Sequence, residues 1–163
     1  MTGMLQTVVE PEGYDVRGAR SGADGAEVFK QWRPDVVLTD LSLPDVDGIE
    51  LLRRLKQLDP EPEVIVVGSQ GTITRAVEAG RAGAFFFLER PVSEDGLLDL
   101  LGKAVGRIDR SFSAAATSWS AASTRSPRAT RSRSHAAVTA FPTSTSAWTF
   151  TRWMASHRGW RGS

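Results

Sequence analysis

Short apolar runs rich in Val, Ile and Phe alternate with stretches whose apolar positions recur every three or four residues, so the chain up to Ile108 reads as helices and strands in turn. Met4, Leu5, Val8 and Val9 have helical spacing, and Gly13 interrupts it. Tyr14 to Ala19 alternates as a strand. Ser21 is placed to cap a helix running through Ala26 and Phe29 to Trp32, which Pro34 cannot continue. Asp35-Val36-Val37-Leu38-Thr39-Asp40 has the apolar run of a strand buried on both faces. After the turn-forming Leu43-Pro44-Asp45-Val46-Asp47-Gly48, residues Ile49, Leu52, Leu55 and Leu58 mark one face of a helix that ends near Pro60. Val64 to Val67 predicts a strand, Ile73, Ala76, Val77 and Gly80 a helix stripe, and Phe85 to Leu88 an aromatic strand. Ser93 opens a last helix with Leu97, Leu101, Ala104, Val105 and Ile108 on its apolar side, and Glu94 and Asp95 suit its positive N-terminal end.

This alternation is the sequence form of an α/β domain, a parallel sheet wrapped by helices. The series opens on a helix where a strand is expected, which predicts that the first strand is missing and leaves its neighbours with unpaired edges. Beyond Ile108 neither period continues. Residues 109–163 are mostly Ser, Ala, Thr and Arg, with no Leu, Ile, Lys or Glu, and segments such as Ser123 to Ser134 offer too little apolar surface to offset chain entropy. Two units are therefore expected: a domain over 1–108 and a low-complexity, disordered tail over 109–163. The abrupt change of residue vocabulary also fits translation of a GC-rich gene in a shifted frame.

Charge sharpens that division. The 163-residue chain has a formal net charge of +1, composed of −6 up to Ile108 and +7 in the tail. The Arg-rich tail, with Trp148, Trp153 and Trp160, is expected to attract nucleic acid only without specificity. There is no cysteine, so disulfide frameworks, thiolate zinc sites and cysteine nucleophiles are excluded. No apolar run has bilayer length, and Met1-Thr2-Gly3-Met4 lacks a secretory pattern; a cytoplasmic protein without membrane contact is expected.

In a doubly wound sheet, functional groups collect at the carboxyl ends of the strands. Here those ends supply Asp40, Gly68-Ser69 and Glu89-Arg90-Pro91. A carboxylate ending a Val-rich strand is placed to act as a nucleophile or metal ligand, and Arg90 could bring a cation near it. Asp45 and Asp47 read as solvated loop acids, Glu89 as a solvent-facing residue and Trp32 as a packing residue. Gly68-Ser69-Gln70-Gly71 lacks the lysine and spacing of a nucleotide loop, and His135 and His157 make no metal pattern.

Val36 to Gly48 resembles the phosphorylation-site signature of bacterial response-regulator receiver domains, and Gly83-Ala84-Phe85-Phe86-Phe87-Leu88-Glu89-Arg90-Pro91 resembles a second segment of that family. The gaps of 28 residues from Asp40 to Gly68 and 22 from Gly68 to Arg90 suit the family's functional strand ends. The resemblance covers about residues 1 to 108 and is closest to receivers of nitrogen-regulation-type enhancer-binding activators. It implies a flavodoxin-like, doubly wound parallel sheet in which Asp40 accepts a phosphoryl group from a sensor histidine kinase. It also implies Mg²⁺ held by Asp40, the backbone carbonyl of Ser42 and an upstream acidic pair, a phosphate contact from Arg90 at the lysine position, and an aromatic switch at Phe87. Pairing of two receivers through their last helices is a further implication, as is a role in transcription regulation.

Three departures modify those implications. The acidic pair would lie ahead of Met1, so Mg²⁺ binding is expected to be weak or absent. Gly68 stands where the family has a switch hydroxyl, and Ser69 is the candidate substitute. Arg90 keeps the charge of the lysine on a wider, planar head. The chain is therefore expected to be a signalling module, not an enzyme. The alternatives are an interaction-only pseudo-receiver that takes no phosphate, or a truncated or frameshifted product without function.

Overall fold

Each strand and helix expected between Tyr14 and Ile108 forms. The computed structural model describes residues 8–69, 73–118 and 135–140. Val8 and Val9 are helical and run into a 3-10 turn, Glu10–Glu12, closed by Gly13 at a positive φ of 88° with its N–H on the Glu10 carbonyl. Strand β1 (Tyr14–Ala19) follows, then helix α1 (Gly22–Trp32), whose Ser21 cap accepts the Asp24 N–H at 3.1 Å. The chain continues through β2 (Val36–Asp40), α2 (Gly48–Leu58), β3 (Glu63–Gly68), α3 (Ile73–Arg81), β4 (Phe86–Glu89) and α4 (Glu94–Ser118).

A further strand, β5 (His135–Ala140), completes a five-stranded sheet of order β1-β5-β2-β3-β4 in which every pairing is parallel. This differs from the expected organisation in two ways. The helix expected to end the domain at Ile108 continues to Ser118, and a segment of the expected disordered tail lies in the sheet. The physical reason is the gap that the sequence pattern leaves. Strands β1 and β2 present unpaired N–H and C=O groups to each other, and His135-Ala136-Ala137-Val138-Thr139-Ala140 is an uncharged segment able to pair with both. The expectations for the Arg-rich stretch, for Trp148, Trp153 and Trp160 and for His157 lie outside the described residues.

Strands β2 and β3 are buried along their whole length, as their unbroken apolar runs predict. One face of the sheet packs Val37, Val64 and Val66 against Phe29 of α1, Ile49, Leu51, Leu52 and Leu55 of α2 and Ala79 of α3. The other packs Val16, Val36, Leu38, Ile65 and Val67 against Leu97, Leu100, Leu101, Ala104 and Val105 of α4. Four fully buried aliphatic side chains on α2 contribute about 1.5–3 kcal/mol each before chain entropy is counted. That packing fixes the height of α2, and with it the loop between β2 and α2 where the site lies.

Candidate functional site

Asp40 is the last residue of β2 and is 3% exposed. Its Oδ1 accepts the Ser42 N–H at 2.9 Å, and its Oδ2 accepts a hydrogen bond from Arg90 Nη2 across 50 residues of sequence. The two residues expected to share the site are thus brought together as an ion pair between the carboxyl ends of β2 and β4, on either side of β3. Arg90 is held there by its backbone as well, since its N–H donates to the Gly68 carbonyl at 2.9 Å just beyond β4.

The loop from Leu41 to Asp47 is pinned at both ends. Leu41 donates to Val67 at 2.7 Å, Gly48 donates to Leu41 at 2.8 Å, and Ser42 and Asp47 form an antiparallel bridge. Gly48 has a steric reason to be glycine, since a Cβ there would collide with the Asp40 carbonyl oxygen and crowd the Leu41 Cα. The helix therefore starts directly against the strand end that carries the carboxylate.

Asp45 and Asp47 hold backbone amides, a role the sequence reading as solvated loop acids did not include. Asp45 Oδ1 and Oδ2 accept the N–H groups of Gly22 and Ala23 at 2.8 and 2.9 Å, fastening the loop to the N-terminus of α1. Those two amides hold the Asp45 carboxyl below the ordinary aspartate range. Asp47 caps α2 by accepting the Ile49 N–H at 2.9 Å and pairs with Arg75 of α3. A local signal for the Asp47 cap exists, because Asp47 is followed three residues later by Glu50 at the start of a helix. No local signal links Asp45 to Gly22.

Phe87, the expected aromatic switch, is half-buried and packs against the core on the α1–α2 side of the sheet. Its ring fills the space that a side chain at Gly68 would need. Ser69 is exposed at the end of β3, and Glu89 is exposed beside Arg90.

The described side chains around Asp40 do not make a divalent-cation cage. Among the described residues there is no group of three or more Asp, Glu or His able to hold a metal ion. Both Asp45 oxygens are committed to amides, Asp47 is committed to a helix cap and an arginine, and Asp40 is paired with Arg90. Among the described residues, Asp40 and the Ser42 carbonyl would leave most of the roughly six positions around a Mg²⁺ ion to water.

No helix among the described residues is long and apolar enough to cross a membrane. The response regulator receiver domain family matches residues 1–102. The chemotaxis protein CheY of Thermotoga maritima is 31% identical over 101 residues, which are 61% of this chain and 84% of CheY. The transcriptional regulatory protein GlrR of Escherichia coli is 36% identical over 117 residues, 71% of this chain but 26% of GlrR. The crystal structure of a response regulator receiver domain protein from Clostridium thermocellum superposes with a TM-score of 0.62 at 30% identity, covering 65% of this chain and 86% of that one. A parallel α/β sheet, a buried strand-end aspartate facing a basic residue, and sequence likeness over the same residues lead to one conclusion: the chain belongs to the response regulator receiver domain family of two-component signalling.

Proposed function

We propose that Asp40 is the phosphoacceptor of this receiver and that its donor is a sensor histidine kinase. The observation that carries the reading is the Asp40–Arg90 pair: a carboxylate buried at the end of a central strand, with one cation positioned over it. In the transfer, an Asp40 carboxylate oxygen forms the new bond to phosphorus while the phosphorus–nitrogen bond of the donor phosphohistidine breaks. The imidazole leaves with that electron pair and takes a proton from solvent. Arg90 would turn from the carboxylate to the incoming phosphoryl oxygens, which its planar fork can grip at two points. Main-chain N–H groups near Ser42 would add fixed dipoles at the same place.

Receiver domains typically work with Mg²⁺ and take phosphate from histidine kinases without being enzymes in the usual sense. For this chain we place most of the charge compensation on Arg90 and expect weak Mg²⁺ dependence, because of the donor shortage around Asp40. Ser69 is the nearest hydroxyl in sequence to the position that Gly68 leaves bare. The exposed apolar side chains Ile73 and Val77 of α3 and Phe86 of β4 support pairing with a second receiver through that face. The exchange is assigned to the cytoplasm. The chain spans about a quarter of GlrR, so the reading extends to the receiver step and not to the transcriptional role in that relative's name.

Intact mass after incubation with acetyl phosphate, with and without Mg²⁺, tests this directly. One phosphoryl group on the parent chain and none on Asp40→Asn is the expected result. No addition to a parent chain that melts cooperatively would overturn the proposal and favour a receiver that only docks partners.

A further inference from the structure

Strand β5 enters the sheet unlike any other. The first four strands follow in chain order with one helix between successive members, whereas β5 comes after all of them and inserts between β1 and β2. It is in register with both neighbours: Tyr14 to Ala19 along its whole length, and Val36 to Thr39 from Ala137 to Ala140. Among the described residues no pairing joins β1 to β2 directly, and β1 is joined to the sheet there through β5. A strand held in this way relies on main-chain ladders on two edges, the same means by which open sheets capture separate extended peptides.

The segment contains no Asp, Glu, Lys or Arg, and it is separated from α4 by the sixteen residues 119–134. A chain of that length can span at most about 55 Å, more than the width of a domain this size. It can therefore deliver the strand to the slot of a neighbouring copy as well as to its own. An exchanged strand makes the same ladder bonds as a resident one. The two arrangements then differ mainly in association entropy and in what the connection allows.

We propose that the slot between β1 and β2 is a strand-acceptor site, and that at high concentration it takes His135–Ala140 from a second copy of the chain, giving a reciprocal strand-exchanged dimer. The resident strand competes at the effective concentration set by its connection, of order millimolar for short links. The closed form is therefore favoured in dilute solution and the exchanged form as concentration approaches that value.

The full chain contains no cysteine, which makes thiol trapping clean. Val16 and Ala137 are register partners, and neighbouring strands lie within disulfide reach. The variants Val16→Cys and Ala137→Cys, one of them isotopically heavy, are mixed unfolded, refolded at about millimolar concentration and oxidised with glutathione disulfide. Intact mass under non-reducing conditions is expected to show a heavy–light disulfide in several-fold excess over either same-variant dimer. The same product is expected with Val36→Cys as the acceptor, since Val36 is the other register partner of Ala137. Val138→Pro in the donor chain should abolish it, because a central strand cannot spare the N–H. Same-variant dimers alone with both acceptors, or a mixed disulfide that survives Val138→Pro, would overturn the proposal.

Discussion

The ring of Phe87 covers Gly68: a Cβ on the glycine would collide with the ring's Cζ and crowd both Cε atoms. The absence of a hydroxyl at position 68 and the inward packing of Phe87 are therefore one arrangement. Whatever occupies position 68 decides where the ring can sit.

Gly68→Ser is expected to destabilise the domain by about 1–3 kcal/mol through overpacking. The loss should shrink in the Phe87→Ala background, where the space is open. Urea denaturation of the two single variants and the double variant gives the coupling, which should be well above the few tenths expected of independent sites. Additive losses would show that the ring yields freely.

Arg90→Ala removes the cation from a carboxylate whose side chain is 4% exposed, while Arg90 itself is 31% exposed. The group left stranded is thus the aspartate. A loss of about 1–3 kcal/mol at neutral pH is expected, with a smaller loss for Arg90→Lys. In the Asp40→Asn background the Arg90→Ala cost should fall, because no buried charge remains to be paired. Equilibrium unfolding of the four variants measures each step.

The Asp45 carboxyl is held low by the amides of Gly22 and Ala23, so it contributes stability only while ionised. For a carboxyl whose folded pKa is depressed, that contribution is complete above the unfolded aspartate value and disappears as pH falls through the folded value. Asp45→Ala should cost about 1 kcal/mol at neutral pH, the usual worth of a helix cap. The gap between variant and parent should close progressively on acidification below the ordinary aspartate pKa. Denaturation midpoints collected across the acid range test both the size and the sign.

Gly48→Ala places a methyl group against the Asp40 carbonyl oxygen and the Leu41 Cα, atoms of the main chain that cannot turn away as a side chain would. A loss of about 3 kcal/mol, at the upper end of overpacking effects, is expected. The phosphoryl-acceptance assay should fall with it, since relief of the clash must displace Asp40 or the start of α2.

Much of this architecture was legible from local pattern. The buried runs Val36 to Asp40 and Val64 to Val67, the Ser21 cap and the leucine face of α2 each carry their own period or punctuation. The encounter of Asp40 with Arg90 followed from the tendency of parallel sheets to gather functional groups at strand ends. What escaped was long-range. His135–Ala140 is too short and too rich in alanine to announce a strand by itself, and only the gap between β1 and β2 gives it a place. Asp45 binding amides 22 and 23 residues away is likewise a property of the folded loop and not of its sequence.

The Leu41–Asp47 loop gives the site an outlet that avoids position 68. Ser42 reports on the Asp40 carboxylate, and a few residues on, Asp45 and Asp47 grip α1, α2 and, through Arg75, α3. Any chemistry that takes the Ser42 amide away from Asp40 would pull on three helices through a single short tether, with neither position 68 nor the Phe87 ring in the line of transmission.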